Sequence, residues 1–328
     1  MKMRILAGAG LMSAFAVGAL SGALVVGQSS GGTQSNAEPS NWGRWGKDDQ
    51  LGALNLITNK KRKEAAALVK DGVSVSLSNT FNYKKEADNA SPVELLVAKN
   101  ASGGVINANG SISDRMLIPY HGTMVTHLDD LAHIVEQNKM YNGYPAAEIF
   151  SEEGAAKGDV INVKNGIFTR GILFDIPRLK GVAYIEPGTG VTPQDLEAWE
   201  KKAGIKVSAG DAIFVRTGRW ARRAISGPWE IGKLQAGLDP SCVPWLKQRG
   251  VVLVGGDYYN EVFPGKAGRD PIHIGAINHL GVRLIDNAHL EAVSELASAR
   301  QRWEFLLVVV PLAVPHATGS PVNPIATF

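Results

Sequence analysis

Apolar positions along the chain fall into short blocks separated by glycine and polar punctuation. Four blocks are nearly continuous: Ile167 to Asp175, Gly210 to Gly218, Val251 to Asp257 and Trp303 to Leu312. Ile167 to Asp175 is long and apolar enough to predict a strand buried on both faces, Trp303 to Leu312 is apolar enough to be central, and the other two read as strands ending in glycine and polar residues. Val282 to Asn287 reads as another strand, and so does Val160 to Val163. Val73 to Leu77 alternates apolar and polar, as a half-buried strand does. Ala87 to Gly110 is polar and turn-rich.

Helix signals sit between these blocks. Thr58 is placed to cap a helix running through Ala67. Thr192-Pro193-Gln194-Asp195 supplies a capping hydroxyl, a proline in the first turn and an acid after it, and Gly204 is a suitable stop. Pro240 to Arg249 reads as a helix, and Pro271 to Gly281 as a short one with His273 near its start. Strands alternating with helices predict a mixed central sheet flanked by helices in one α/β domain, spanning residues 40–328.

The first residues follow a different pattern. Lys2 and Arg4 precede a small-residue apolar run from Ile5 to about Val26, and a Ser, Gly and Asn-rich tract follows. Residues 1–27 read as a secretory signal and 28–39 as a disordered leader, which predicts a periplasmic or secreted protein. An uncleaved membrane anchor is the alternative.

Charge narrows the choice of partners. The net charge is +3, with Lys and Arg scattered along the chain. The densest cluster, Arg216 to Arg223, reads as a loop after a strand, so no nucleic-acid partner is expected. The single cysteine, Cys242, cannot close an internal disulfide and reads as a small buried residue on its helix.

Candidate chemistry concentrates between Tyr120 and Tyr144, which holds His121, His127 and His133, three of the seven histidines. His127 and Asp129 are two apart, so on an extended backbone they share a face; Asp129 and His133 are four apart, which suits a helical turn. A strand running into a helix near Asp129 or Asp130 would aim all three groups at one point. Imidazole and carboxylate together suit a divalent cation such as zinc or manganese. The alternative is ordinary polar residues at an element boundary, with an aspartate as cap.

The run Thr126 to His133, followed by Lys139-Met140-Tyr141-Asn142-Gly143, resembles the metal-binding signature of the cyclase family, which includes bacterial kynurenine formamidases and isatin hydrolases. That signature reads roughly H-x-G-T-H-x-D-x-P-x-H. Its second His, its Asp and its last His fall on His127, Asp129 and His133. Leu131 replaces the proline, and Thr123 stands where the first His belongs, with His121 the nearest histidine upstream. The resemblance extends through Asp48 to Asn55, Arg170, Gly171, Asp175 and the tail from Ala317 to Pro324.

This resemblance implies a swivelling β/β/α domain and one or two divalent ions, zinc or manganese. It implies His127 and Asp129 as ligands, with His121, His273 and Asp286 as further metal-site residues, and His133 as the acid and base. Asp257 is expected to line the substrate pocket, to which Trp45 and Tyr141 are candidate aromatic contributors. The implied activity is hydrolysis of a carbon-nitrogen amide bond in a small, often aromatic, N-acyl compound or lactam, by a dimer or tetramer. A hydrolase or cyclase for a lactone or another carbonyl compound is the alternative among enzymes. A non-catalytic periplasmic binding protein on the same fold is the alternative from another class.

Overall fold

The computed structural model describes residues 39–99, 103–104, 112–264 and 271–328. The expected signal segment, residues 1–27, and all of the expected leader, 28–39, except its last residue lie outside the described residues. Nine strands form one curled mixed sheet: β1 Ser74–Ser76, β2 His127–Asp129, β3 Ile167–Asp175, β4 Ala212–Arg216, β5 Leu253–Gly256, β6 Arg283–Asp286, β7 Glu304–Val309, β8 Gly319–Pro321 and β9 Ile325–Thr327. Their spatial order is β1-β9-β7-β3-β4-β5-β6-β2-β8. The inner four, β3-β4-β5-β6, are parallel to one another, and every pairing outside them is antiparallel.

The parallel block accounts for the continuous apolar runs. Every residue of β4, β5 and β6 is buried, because helices cover both faces of parallel strands. Two glycines let bulky neighbours lie flat on this sheet, since a Cβ on Gly171 would overlap the Phe305 ring and one on Gly255 the Phe214 ring. β7, expected to be central, does have a neighbour on each side, but its residues alternate between buried and half-buried.

Helices follow their local signals. Asn59–Ala66 is capped by Thr58, whose hydroxyl accepts from Lys61 N–H. Pro193–Ala203 has the full capping box of Thr192 and Asp195 and stops at Gly204, in the left-handed region at φ 66°. Cys242 is buried in Cys242–Arg249, and burial pushes its thiol up, away from thiolate.

Four expectations give way. Val160–Val163 is a 3₁₀ turn rather than a strand, with Val160 and Val163 buried three apart and Ile161 and Asn162 between them half exposed. The arginine cluster is the end of β4 and a helix, Arg219–Ser226, entered through Gly218 at φ 83°; Arg216 and Arg219 are buried. The turn-rich stretch holds Glu94–Val97, paired with Asp114–Leu117 in a separate ribbon. Finally, no helix follows Asp129. Asp130 N–H donates to the Thr318 carbonyl and Ala132 N–H to the Gly158 carbonyl, the Asp130 carboxylate takes Leu131 N–H, and the chain continues as a turn tied to those two segments. Among the described residues no helix is long and apolar enough to cross a membrane.

Candidate active site

Strand register builds the floor of the site. His127 and Asp129 leave the same face of β2, while Leu128 between them is fully buried. β6 runs antiparallel alongside with Asp286 opposite His127, so its carboxylate joins that face. β8, on the other side, sets Gly319 opposite Asp129. A Cβ there would lie 2.9 Å from the His121 ring; the absent side chain leaves room for that imidazole.

The remaining imidazoles arrive from loops and turns. His121 Nδ1 lies 2.9 Å from Asp129 Oδ1, and its Nε2 is 3.1 Å from the Thr318 hydroxyl. Its ring stacks on His133, with centroids 4.1 Å apart and planes 5° from parallel. His133 Nε2 is 3.7 Å and His127 Nε2 3.5 Å from the same Asp129 oxygen. His273 closes the other side, its Nε2 3.3 Å from Asp129 Oδ2 and 3.4 Å from Asp286 Oδ2. The structure therefore brings together His121, His127, Asp129, His133, His273 and Asp286. Thr123 is elsewhere, its hydroxyl donating to the Asp88 carbonyl at 2.5 Å; His121 is the histidine upstream of His127 that reaches Asp129.

Asp129 is the centre of the group and its most unusual member. It is fully buried, and the imidazole nitrogens around it, the closest His121 Nδ1 at 2.9 Å, approach its oxygens without the alignment of a full hydrogen bond. A buried carboxylate left without well-aligned donors is costly and calls for a cation. Two overlapping triads present ligand atoms close enough to share one: His127, Asp129 and Asp286, and His121, Asp129 and His133. His127 Nδ1 donates to the Val125 carbonyl at 2.8 Å, which leaves the lone pair of Nε2 on the Asp129 side. Nitrogen and carboxylate donors in this mixture fit zinc or manganese.

Electrostatics follow from the crowding. Burial works to raise the Asp129 carboxyl, but His133, His127, His121 and His273 together hold it well below the usual carboxylate range. Burial lowers His133 to about 4 against the pull of Asp129, with the other imidazoles adding to the drop. His133 is thus neutral at pH 7. His273 goes the other way: burial opposes its charge, but Glu261, Asp286 and Asp129 raise it well above the ordinary imidazole range.

These groups open onto a cavity of about 430 Å³, whose other walls include Ile134, Gly232, Tyr259 and Phe263. That volume suits a small molecule. Burial, with Asp286 adding to it, pushes the Tyr259 phenol up to about 12, so its hydroxyl keeps its proton.

Three residues expected at the pocket lie elsewhere. Trp45 packs against the hydrophobic core with the Arg44 guanidinium 4.7 Å from its ring. Tyr141 is buried, and its hydroxyl donates to Asp49 at 3.0 Å. Asp257 faces the start of helix Arg219–Ser226 instead of the cavity, accepting from Thr217 N–H and Oγ1–H, Gly218 N–H and Arg219 N–H. It is a helix anchor. Conversely, Tyr259, Asn260, Glu261 and Phe263 were missed. They lie within seven residues after the strand ending at Gly256, at the carboxyl end of a parallel strand, which is where α/β sites gather.

The cyclase family profile matches residues 65–260. A solved structure described as a novel cyclase shares 30% identity, covers 89% of this chain and 100% of its own, and superposes with a TM-score of 0.78. An isatin hydrolase bound to the product analogue thioisatinate shares 17% identity over 84% of this chain and 98% of its own, with a TM-score of 0.52. Isatin hydrolase A from Ralstonia solanacearum shares 16% over 77% and 91%, with a TM-score of 0.50. At such identities these last two show a common fold. No curated protein matches. Profile, fold and the histidine and aspartate cluster lead to one assignment: the chain belongs to the cyclase family.

Proposed function

We propose that the chain is a metal-dependent hydrolase that cleaves a carbon-nitrogen amide bond in a small N-acyl or lactam substrate. The observation that carries this reading is Asp129, buried at the floor of an open cavity with no well-aligned hydrogen bond to either oxygen and ringed by imidazoles. His127, Asp129 and Asp286 would hold the cation, with His121 and His273 beside them. When bound, a divalent ion lowers the pKa of a water toward about 7 and polarises a carbonyl oxygen.

The chain's own groups supply the rest. His133, neutral and half-buried at the cavity, accepts a proton from the attacking water and returns it to the leaving nitrogen. The protonated Tyr259 hydroxyl is a donor at the cavity wall for a carbonyl oxygen. Ile134 and Phe263 add apolar surface to an otherwise polar wall, against which the organic part of a small substrate can rest. The solved isatin hydrolases on this fold act on a lactam, which supports that substrate class.

A second reading makes His133 a ligand, favoured by its place in the triad with His121 and Asp129. One experiment separates the two and tests both. Purified protein is assayed for bound zinc and manganese and for turnover of a panel of formanilides, lactams and lactones, before and after chelation. Amide or lactam turnover that is lost with the ion and restored by it supports the proposal. Lactone turnover alone would move the activity to another carbonyl class, and an ion-free protein with no turnover would point to a binding protein. His133→Ala that keeps the ion supports proton transfer; loss of an ion makes it a ligand.

A further inference from the structure

The turn after β5 carries an adjacent pair, Asn260 and Glu261, that bonds to Asp286 and His273 and has no part in the chemistry described above. Both are buried. Glu261 holds His273: its carboxylate lies 2.7 and 2.8 Å from Nδ1 and accepts the His273 backbone N–H at 2.9 Å. An acceptor on Nδ1 requires the proton there and leaves Nε2 as the atom facing Asp129 and Asp286. Asn260 holds Asp286: its amide N–H₂ donates to Asp286 Oδ1 at 2.7 Å and to the Ile285 carbonyl at 3.3 Å. Both neighbours are acceptors, so the amide orientation is determined, and Asp286 Oδ2 is the oxygen left facing His273 Nε2.

The turn is itself fixed. Asn260 sits in the left-handed region at φ 39°. Its carbonyl accepts Leu238 N–H at 2.7 Å, and the Glu261 carbonyl accepts the Gln235 side-chain amide at 2.8 Å. Gly237 lies so close that a Cβ on it would overlap the Glu261 carbonyl. A strained, buried turn held on several sides is a rigid mount.

We infer that Asn260 and Glu261 are positioning residues, one aligning Asp286 and the other His273, so that two groups from separate segments present one oxygen and one nitrogen to the cation. The inference rests on the metal-dependent reading above. Removing such an outer partner lowers metal affinity by about 10- to 100-fold.

Cobalt(II) is the probe, because its visible absorption reports ligand geometry. Wild-type protein stripped with chelator is titrated with Co²⁺ by calorimetry and absorption, alongside Glu261→Gln and Asn260→Ala. Each variant is expected to bind about 10-fold or more weakly, with a shifted visible band, whatever the change in its cation-free melting temperature. Glu261→Gln is close to isosteric; if it does not fold, Asn260→Ala carries the test. Variants that bind with wild-type affinity and spectrum would overturn the inference. So would variants that melt early yet keep the wild-type spectrum, as residues serving the fold alone would. Wild-type protein that binds no Co²⁺ would instead sink the metal-dependent reading.

Discussion

Asp129 and Asp257 are both buried aspartates at the ends of sheet strands, and the sequence around each promises a site. Their surroundings differ completely. Asp257 receives three backbone N–H groups and a hydroxyl at the start of helix Arg219–Ser226. Asp129 receives no well-aligned hydrogen bond and is ringed by four imidazoles. Burial raises Asp257 despite its Thr217 partners, whereas at Asp129 the imidazoles outweigh burial and lower it. A carboxylate that spends its lone pairs on the backbone serves the fold; one that holds them unspent in a cavity is available to a ligand.

Substitutions can break that comparison. The largest effect is expected at Asp129→Asn: added zinc or manganese should no longer raise the melting temperature by scanning fluorimetry, and turnover should disappear. His133→Ala comes next, with turnover on the best amide substrate reduced about 10²- to 10⁴-fold while the ion content by elemental analysis holds. Asp257→Ala should leave cation affinity within about threefold but cost about 3 kcal/mol in chemical denaturation, since several buried donors lose their acceptor. Asp257 variants that lose the cation and keep their stability would reverse the roles assigned to the two aspartates. Gly237→Ala, which crowds the turn bearing Glu261, should cost about 1–3 kcal/mol on the same measurement.

The smallest effect is a pH trend. In the cation-free protein His273 is raised above its unfolded value, with burial opposing and Glu261 and Asp286 prevailing. A raised folded pKa adds stability that is fully present below about 6.5 and lost as pH rises through the folded value. The cation-free melting temperature should therefore fall as pH climbs from about 6.5, and the cation-loaded protein should not share that trend. A flat cation-free profile would show that His273 is not held by its carboxylate neighbours.

Local chemistry was legible where local chemistry decides. Continuous apolar runs gave away β3, β4 and β5; Thr192 and Gly204 bound their helix. The spacing of His127 and Asp129 put them on one face because strand geometry has a period of two. What stayed hidden depends on contacts distant in sequence. His121 reaches Asp129 because Gly319, 198 residues further on, leaves room beside it. Glu261 and Asn260 matter because a turn lays them against His273 and Asp286. Asp257 misled because a strand end faces either a cavity or a neighbouring helix, and apolar pattern is the same in both cases. Tyr141 and Trp45 misled likewise, since aromatic residues serve core and pocket alike.

The most direct test of the account is anomalous X-ray scattering from crystals of the full chain soaked in zinc or manganese, recorded at the absorption edge of the ion. A strong peak beside Asp129, within ligand distance of His127 and Asp286, is the predicted result. A difference map without a peak at Asp129, from protein whose His127, Asp129 and Asp286 stand as described, would contradict it.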